Sequence, residues 1–202
     1  MLKNIISNRI LFIAVLLISF FGMNLEEGKA QAPCASGYTL VVDTLYIDGC
    51  HYEIKFCYKC GLTGPDSEAT LYSYRPLSPF CVQTMSDEEL FAEMNLYMIQ
   101  FLKDNCEIRP CSTPPKTKFF INQFGCWKKL SDRTVVACET GGMCVTVYEV
   151  CWNGSTLEQT TLGSSWLAGY EPTCNWLPST GFPTITPPAT ETPCLRINTN
   201  CD

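Results

Sequence analysis

Histidine and the common catalytic motifs are almost absent from this 202-residue chain, whose only histidine is His51. A Ser-His-Asp or Cys-His enzyme would need that side chain, and no G-x-S-x-G nucleophile elbow is present. Phosphate-binding loops and the zinc motif H-E-x-x-H are missing as well. His51 shares the expected solvent face of a strand with Glu53 and Lys55. The sequence therefore predicts no catalytic residue, no cofactor and no metal site, and it favours a protein that is not an enzyme.

Positive charge is scarce, with 14 Lys and Arg against 20 Asp and Glu and a net charge of −6. No basic run occurs anywhere, whereas nucleic-acid surfaces need clustered cations to neutralise phosphates. We therefore expect no nucleic-acid partner. After the N-terminal segment, no apolar run reaches the roughly twenty residues that a membrane helix requires. We expect no transmembrane segment once that N-terminal segment is removed.

The first 30 residues have the three-part pattern of a secretory signal peptide. Lys3 and Arg9 give a basic start, residues 10–21 are mostly apolar, and Gly28 and Ala30 supply the small residues before a cleavage site. An apolar run of about twelve residues is too short to span a bilayer as a helix. This pattern predicts export, to the extracellular space or the cell surface, with the periplasm as an alternative location.

Cysteine, in contrast, is abundant: all 14 cysteines lie after residue 30. An even number in an exported chain indicates up to seven disulfides. Cys57 and Cys60 form a C-x-x-C, but it closes a predicted strand instead of opening a helix, where the helix dipole would lower the pKa of a thiol. A second pair with zinc-ligand spacing is also missing. Structural disulfides are therefore the favoured interpretation.

Two segments, residues 50–58 and 144–152, share one pattern: a strand with a cysteine at each end. Asp48-Gly49 before the first segment and Asn153-Gly154 after the second are hairpin turns of the primed type. The surrounding cysteine intervals agree within two residues, which suggests an internal duplication. We predict a mainly β fold with one helix (α+β), in which two disulfide-stapled antiparallel β-meander units flank a central amphipathic helix, plus a Pro/Thr-rich C-terminal tail.

The helix has the strongest local signals. Ser86 and Glu89 form a capping box before a run with apolar residues at helical spacing. Leu96 and Ile99 fall on the opposite side of the wheel, which predicts a helix wedged between two surfaces. The predicted organisation is a signal peptide (1–30), a first Cys-rich unit (31–85), the helix (86–105), an irregular connector (106–125), a second Cys-rich unit (126–176) and a tail pinned by cysteines (177–202).

Strand geometry restricts the disulfide pairing. Seven residues of strand separate two α-carbons by about 23 Å, while a disulfide needs roughly 4.4 to 6.8 Å. Two cysteines at opposite ends of one strand therefore cannot bond each other, and each needs a partner outside that strand. The predicted bonds are Cys34 with Cys57, Cys50 with Cys81, Cys126 with Cys151, and Cys144 with Cys174. A bond between Cys194 and Cys201 is one of the possibilities for the other cysteines. The partners of six cysteines stay open: Cys60, Cys106, Cys111, Cys138, Cys194 and Cys201.

Trp166 and Trp176 are the best candidates for ligand contact, because both lie in loop-like sequence between Leu162 and Pro178. Exposed tryptophans stack on sugar rings or anchor a protein partner. The sequence predicts an exported, disulfide-rich binding or structural protein of the cell surface or extracellular space, with a protein or glycan partner. The alternatives are a secreted hydrolase that uses a carboxylate pair, and a small secreted inhibitor or effector that presents a crosslinked loop.

Overall fold

The computed structural model describes residues 34–138, 142–169, 171–187 and 189–202. The predicted signal peptide lies outside these ranges. The sequence also predicts a turn at Thr140-Gly141-Gly142, before the second cysteine-bounded strand, and its first two residues lie outside the ranges as well. Within the described ranges, no helix combines the length and the apolar character that crossing a membrane requires.

The first unit is a three-stranded antiparallel meander, as predicted from the alternating pattern. Its strands are β1 (Thr39–Ile47), β2 (Cys50–Lys59) and β3 (Ser67–Pro76). Asp48 and Gly49 connect β1 to β2 with φ angles of 49° and 75°. Both angles lie in the left-handed region that a primed turn requires, so the turn sets the register of the hairpin.

Seven further strands extend this meander into one ten-stranded sheet. They are β4 (Thr117–Phe124), β5 (Cys126–Lys129), β6 (Val135–Ala137), β7 (Met143–Trp152), β8 (Leu157–Trp166), β9 (Asn175–Trp176) and β10 (Leu195–Arg196).

The sheet divides at β3. β4 pairs in parallel with residues 67–70 of β3, while β6 pairs antiparallel with Ser73 and Tyr74. One arm then continues from β4 through β7 to β8, and the other continues from β6 through β5 and β10 to β9. Both predicted units therefore belong to the same sheet.

The second unit is not a second meander. β7 pairs with β4 and β8, whereas β6 pairs with β3 and β5. The predicted connector (106–125) contains β4, and this strand takes the position beside β7 that the meander prediction gave to β6. β1, the hairpin partner of β2, precedes β2 in the chain, whereas β8, the hairpin partner of β7, follows β7. The similar cysteine spacing is therefore not matched by similar pairing, and the duplication is not shown.

Helix α1 (Asp87–Asn105) begins with the predicted capping box. The backbone N–H of Glu89 donates to Ser86 Oγ (3.2 Å), and that of Ser86 donates to Glu89 Oε2 (2.8 Å). Leu96 exposes 56% of its surface, so the wedged arrangement is wrong and the helix buries a single face. That face packs on the sheet and consists of Leu90, Phe91, Met94, Met98, Ile99 and Leu102.

Seven disulfides pair all the cysteines. The structure has the two bonds predicted for the first unit, Cys34 with Cys57 and Cys50 with Cys81. The remaining bonds are Cys60–Cys106, Cys111–Cys151, Cys126–Cys174, Cys138–Cys194 and Cys144–Cys201.

The predicted bonds of Cys126 with Cys151 and of Cys144 with Cys174 are wrong. Cys151 ends β7, where the backbone N–H of Cys111 donates to Trp152 O (2.8 Å) and brings that segment alongside. Cys126 begins β5, whose neighbour β10 pairs with β9 directly after Cys174. Because Cys174, its expected partner, bonds Cys126, Cys144 bonds Cys201 in the tail.

The tail is part of the fold. Cys194 bonds Cys138 and Cys201 bonds Cys144, so the two tail cysteines do not bond each other. Between them, Leu195 is buried in β10 against β5. The predicted tail is thus pinned by cysteines, and it also supplies a strand and a core residue.

Candidate ligand cleft

A cleft of about 890 Å³ opens where α1 begins. The buried rings of Tyr52 on β2 and Tyr74 on β3 lie at its floor. Its walls come from the segment that leads into the helix, the hairpin of β5 and β6, and the C-terminal segment. The volume falls in the range that small-molecule sites occupy, roughly 300 to 1,000 Å³.

The segment leading into the helix is tied to the β1–β2 turn. Asp48 Oδ2 accepts hydrogen bonds from Thr84 N (2.9 Å), Thr84 Oγ1 and Met85 N (3.2 Å). The hydrogen bonds from Thr84 lower the pKa of the Asp48 carboxyl, because they stabilise its charged form. The disulfide between Cys50 and Cys81 fixes the other end of the segment. This wall is therefore held without help from a ligand.

Asp87 and Glu88, in the first turn of α1, make the helix wall acidic. Acids are favoured there by the helix dipole. Gln83 Nε2 donates to Asp87 Oδ1 (3.0 Å), and Asn198 Nδ2 donates to Glu88 Oε2 (3.2 Å). Each carboxylate has further acceptor capacity, so this wall can bind hydroxyl groups.

The β5–β6 hairpin gives the facing wall two cations, Lys129 and Arg133. Lys129 shares its side of β5 with Trp127, which packs against Phe91 of the helix (ring centroids 4.7 Å apart). Arg133 Nη1 donates to Ser78 O (2.9 Å). In the described ranges neither cation forms an ion pair.

Trp176 and Arg196 form the C-terminal wall. The Arg196 guanidinium lies over the Trp176 ring, 4.2 Å from its centroid, and also pairs with Asp202. Its Nε is buried and has no hydrogen-bond partner among the described residues. Trp176 still exposes 53% of its surface, so it offers an accessible aromatic surface that is held in position.

The two predicted contact residues, Trp166 and Trp176, contact the same arginine, but only one of them lines the cleft. Trp166 ends β8 and lies 5.6 Å from the Arg196 guanidinium, so both tryptophans contact the same arginine. Trp176 lines the cleft, whereas Trp166 does not and is half-buried. Sequence reasoning missed Lys129, Arg133 and Arg196, because none of them belongs to a charge run or a recognisable motif.

The two floor tyrosines remain neutral donors. Burial raises the pKa of Tyr74 well above its usual value, and it also raises the pKa of Tyr52. Tyr52 Oη lies 3.7 Å from Cys81 Sγ, a disulfide sulfur that can only accept. Near neutral pH both hydroxyls therefore keep their protons, and the single proton of Tyr52 can be directed to the sulfur or to a ligand.

Two other places in the described ranges contain residues of a catalytic or metal-binding type. His51 is exposed on β2, with its ring 4.9 Å from the ring of Tyr46. Cys111, Cys151 and Glu158 form a cluster with metal-ligand atoms, but the disulfide uses both sulfurs. No family model, curated protein or solved structure matches the chain, so the chemistry of the cleft is the basis for inferring a function.

Proposed function

We propose that the protein is an exported binding protein that holds a carbohydrate in the cleft at the start of α1. The observation that carries this proposal is the position of Trp176, an exposed ring fixed by Arg196 at the edge of a polar cleft. Aromatic rings contact the apolar faces of sugars, and convergent polar groups orient the hydroxyls.

The polar groups suit a ligand rich in hydroxyls. Asp87 and Glu88 accept hydrogen bonds, while Tyr52 and Tyr74 donate them. A purely apolar ligand would cover the free acceptor positions of Asp87 and Glu88 and keep water from them, and each polar group left unsatisfied costs about 1–3 kcal/mol. The pattern therefore favours a sugar over a lipid or a hydrocarbon.

The disulfides support a location outside the cytoplasm. Seven disulfides in one chain are typical of an oxidising compartment. An exported carbohydrate-binding protein agrees with this feature. Export itself follows from the signal-peptide pattern of residues 1–30 and stays a prediction.

Binding without turnover is favoured by the placement of the acids. A glycosidase needs two carboxyl groups on opposite sides of the scissile bond, about 5 to 10 Å apart. Asp87 and Glu88 are consecutive in one helix, and consecutive helical residues do not face each other. Both also receive hydrogen bonds from amide side chains.

The test is a glycan array followed by calorimetry on the bound glycans. Trp176→Ala should weaken binding about 30-fold, which corresponds to the roughly 2 kcal/mol of a binding hot spot. Trp152→Ala is the matched control, because Trp152 is also exposed but does not line the cleft. Equal losses in both variants, or no glycan binding at all, would contradict the proposal. Release of reducing sugar that disappears in Asp87→Asn would establish the hydrolase instead.

Phe80 favours the inhibitor or effector as a second candidate function. It exposes 89% of its surface, directly beside Cys81, whose disulfide to Cys50 holds the loop. The backbone N–H of Cys81 also donates to Ser78 O (3.2 Å). A rigid, exposed aromatic residue can anchor a protein partner. A partner captured by the wild type and by Trp176→Ala, but not by Phe80→Ser, would support this function.

A further inference from the structure

We propose that the ligand of the cleft carries an oxyanion, which Lys129 and Arg133 bind. The inference rests on the proposed function and narrows its ligand class to an acidic sugar, with a carboxylate or a sulfate ester as the charged group. It depends on three features of the β5–β6 hairpin and its surroundings.

The first feature is the difference between neighbouring lysines. Lys128 points away from the cleft, and its Nζ pairs with Glu191 Oε2 at 2.8 Å. Lys129 points into the cleft and has no carboxylate partner in the part of the chain that the structure describes. In a chain with a net charge of −6, an unpaired cation in a concave site is available for an anionic ligand.

The second feature is the conformation of Arg133. Its φ angle of 72° lies in the left-handed region, which is unfavourable for a residue with a Cβ. Its guanidinium donates to Ser78 O (2.9 Å) and Cys81 O (3.5 Å). These bonds use only some of its five donors and hold the group in place. The β5–β6 turn, closed by the hydrogen bond from Arg133 N–H to Leu130 O (2.9 Å), and these side-chain bonds together hold a cation at the cleft.

The third feature is the separation of charge between the two walls. Asp87 and Glu88 repel an anion from the helix wall, so an oxyanion is directed to the hairpin wall. A uronic acid has one carboxylate and several hydroxyls, and it can satisfy both walls in a single orientation. A sulfated sugar has the same distribution of groups.

The experiment is an NMR titration of the protein at neutral pH with three probes: glucuronate, glucose and inorganic sulfate. Glucuronate should bind about 10-fold more tightly than glucose, because charge-assisted hydrogen bonds are about twice as strong as neutral ones. Lys129→Gln should remove most of this difference, and Lys128→Gln should retain it. Among the described residues the Lys129 ammonium has no hydrogen-bond or ion-pair partner, and the backbone bond from Lys129 N–H to Thr192 Oγ1 is retained, so the replacement should leave the fold intact.

The outcomes separate this inference from the proposed function. Equal affinities for glucuronate and glucose, or equal behaviour of the two lysine variants, would overturn the oxyanion inference and leave carbohydrate binding intact. Sulfate binding at Lys129 and Arg133 without binding of either sugar would support the oxyanion site and overturn the carbohydrate proposal. If none of the three probes binds, both proposals fail.

Discussion

The Arg196 guanidinium lies over the indole ring of Trp176, with its central carbon 4.2 Å from the ring centroid. The same group lies 5.6 Å from the ring of Trp166 and pairs with Asp202 near the C-terminus. A desolvated cation–π contact contributes up to about 2 kcal/mol. One arginine in a short strand of the tail therefore positions the aromatic wall of the cleft.

Arg196→Gln should loosen this wall, because it removes the cation over the ring and the ion pair with Asp202. We expect stronger acrylamide quenching of tryptophan fluorescence and an approximately fivefold loss of glycan affinity, equivalent to about 1 kcal/mol. The added quenching should be absent when Trp176 is already phenylalanine. Lys116→Gln, which breaks an ion pair with Glu149 away from the cleft, is the control. Unchanged quenching and affinity in Arg196→Gln would contradict the role of the stack.

Removal of the bond between Cys144 and Cys201 should affect both stability and binding. The cysteines are 57 residues apart, and loop entropy predicts a loss of about 4 kcal/mol when both become serine. Glycan affinity should fall as well, because the bond anchors the tail that contains Arg196. Guanidinium unfolding without reductant measures the first effect, and calorimetry measures the second.

The matched control is the double serine variant of Cys34 and Cys57, which are 23 residues apart. Loop entropy predicts a loss of about 3 kcal/mol for this bond, and neither cysteine lines the cleft. Its glycan affinity should therefore equal that of the wild type. Wild-type affinity in the Cys144 and Cys201 variant would show that the tail bond does not support the site.

The single buried face of α1 predicts opposite results for two neighbouring residues. Met94 is fully buried against the sheet, so Met94→Ala should lower the free energy of unfolding by about 2–5 kcal/mol. Leu96→Ala should change it by less than about 0.5 kcal/mol, because this side chain points to solvent. Chemical denaturation measures both values. A large loss of unfolding free energy in Leu96→Ala would contradict the single buried face and support a helix packed between two surfaces.

Tyr38 and Tyr97 should ionise late, in addition to the buried tyrosines Tyr52 and Tyr74 of the cleft. Tyr38 Oη donates to Glu68 Oε2 (2.6 Å), and Tyr97 Oη donates to an oxygen of Asp43. Burial, followed by the hydrogen bond to the carboxylate, raises the pKa of each hydroxyl from 10.0 to about 12. A raised pKa in the folded state means that the stabilisation is complete below pH 10 and is lost as the pH rises towards 12.

Tyrosinate absorbance, recorded quickly across this pH range, tests the assignment. Tyr38→Phe and Tyr97→Phe should each remove one group that ionises late, while Tyr46→Phe, which changes an exposed residue, should leave the late groups in place. Ionisation of Tyr38 and Tyr97 at the ordinary pKa would rule out their hydrogen bonds to carboxylates.

Local signals account for the parts of the fold that the sequence predicts correctly. The turn at Asp48-Gly49 and the alternating strands determine the first meander, and the Ser86 capping box determines the start of the helix. The pairing of β3 with β4 involves residues about fifty positions apart, and no local pattern encodes it. β4 also pairs with β7, so β3 and β4 separate β7 from β6 and β5, and the disulfides predicted for Cys126 and Cys144 do not form.

The cleft was only partly predictable for the same reason. Trp176 could be selected from its loop-like surroundings, since an aromatic residue between prolines and polar residues is often exposed. Lys129 and Arg133 reach the cleft only because β6 pairs with Ser73 and Tyr74 and carries the hairpin against β3. Arg196 reaches it through β10, a two-residue strand in proline-rich sequence.

Amide hydrogen exchange, with and without an acidic oligosaccharide, tests most directly whether the cleft is the binding site. The ligand should slow exchange in three segments: residues 81–88, 129–133 and 176–182. The edge strands β1 and β8 should be unaffected, because they do not line the cleft. Protection confined to β1, β8 or the loop around Phe80 would contradict the account and place the binding surface elsewhere.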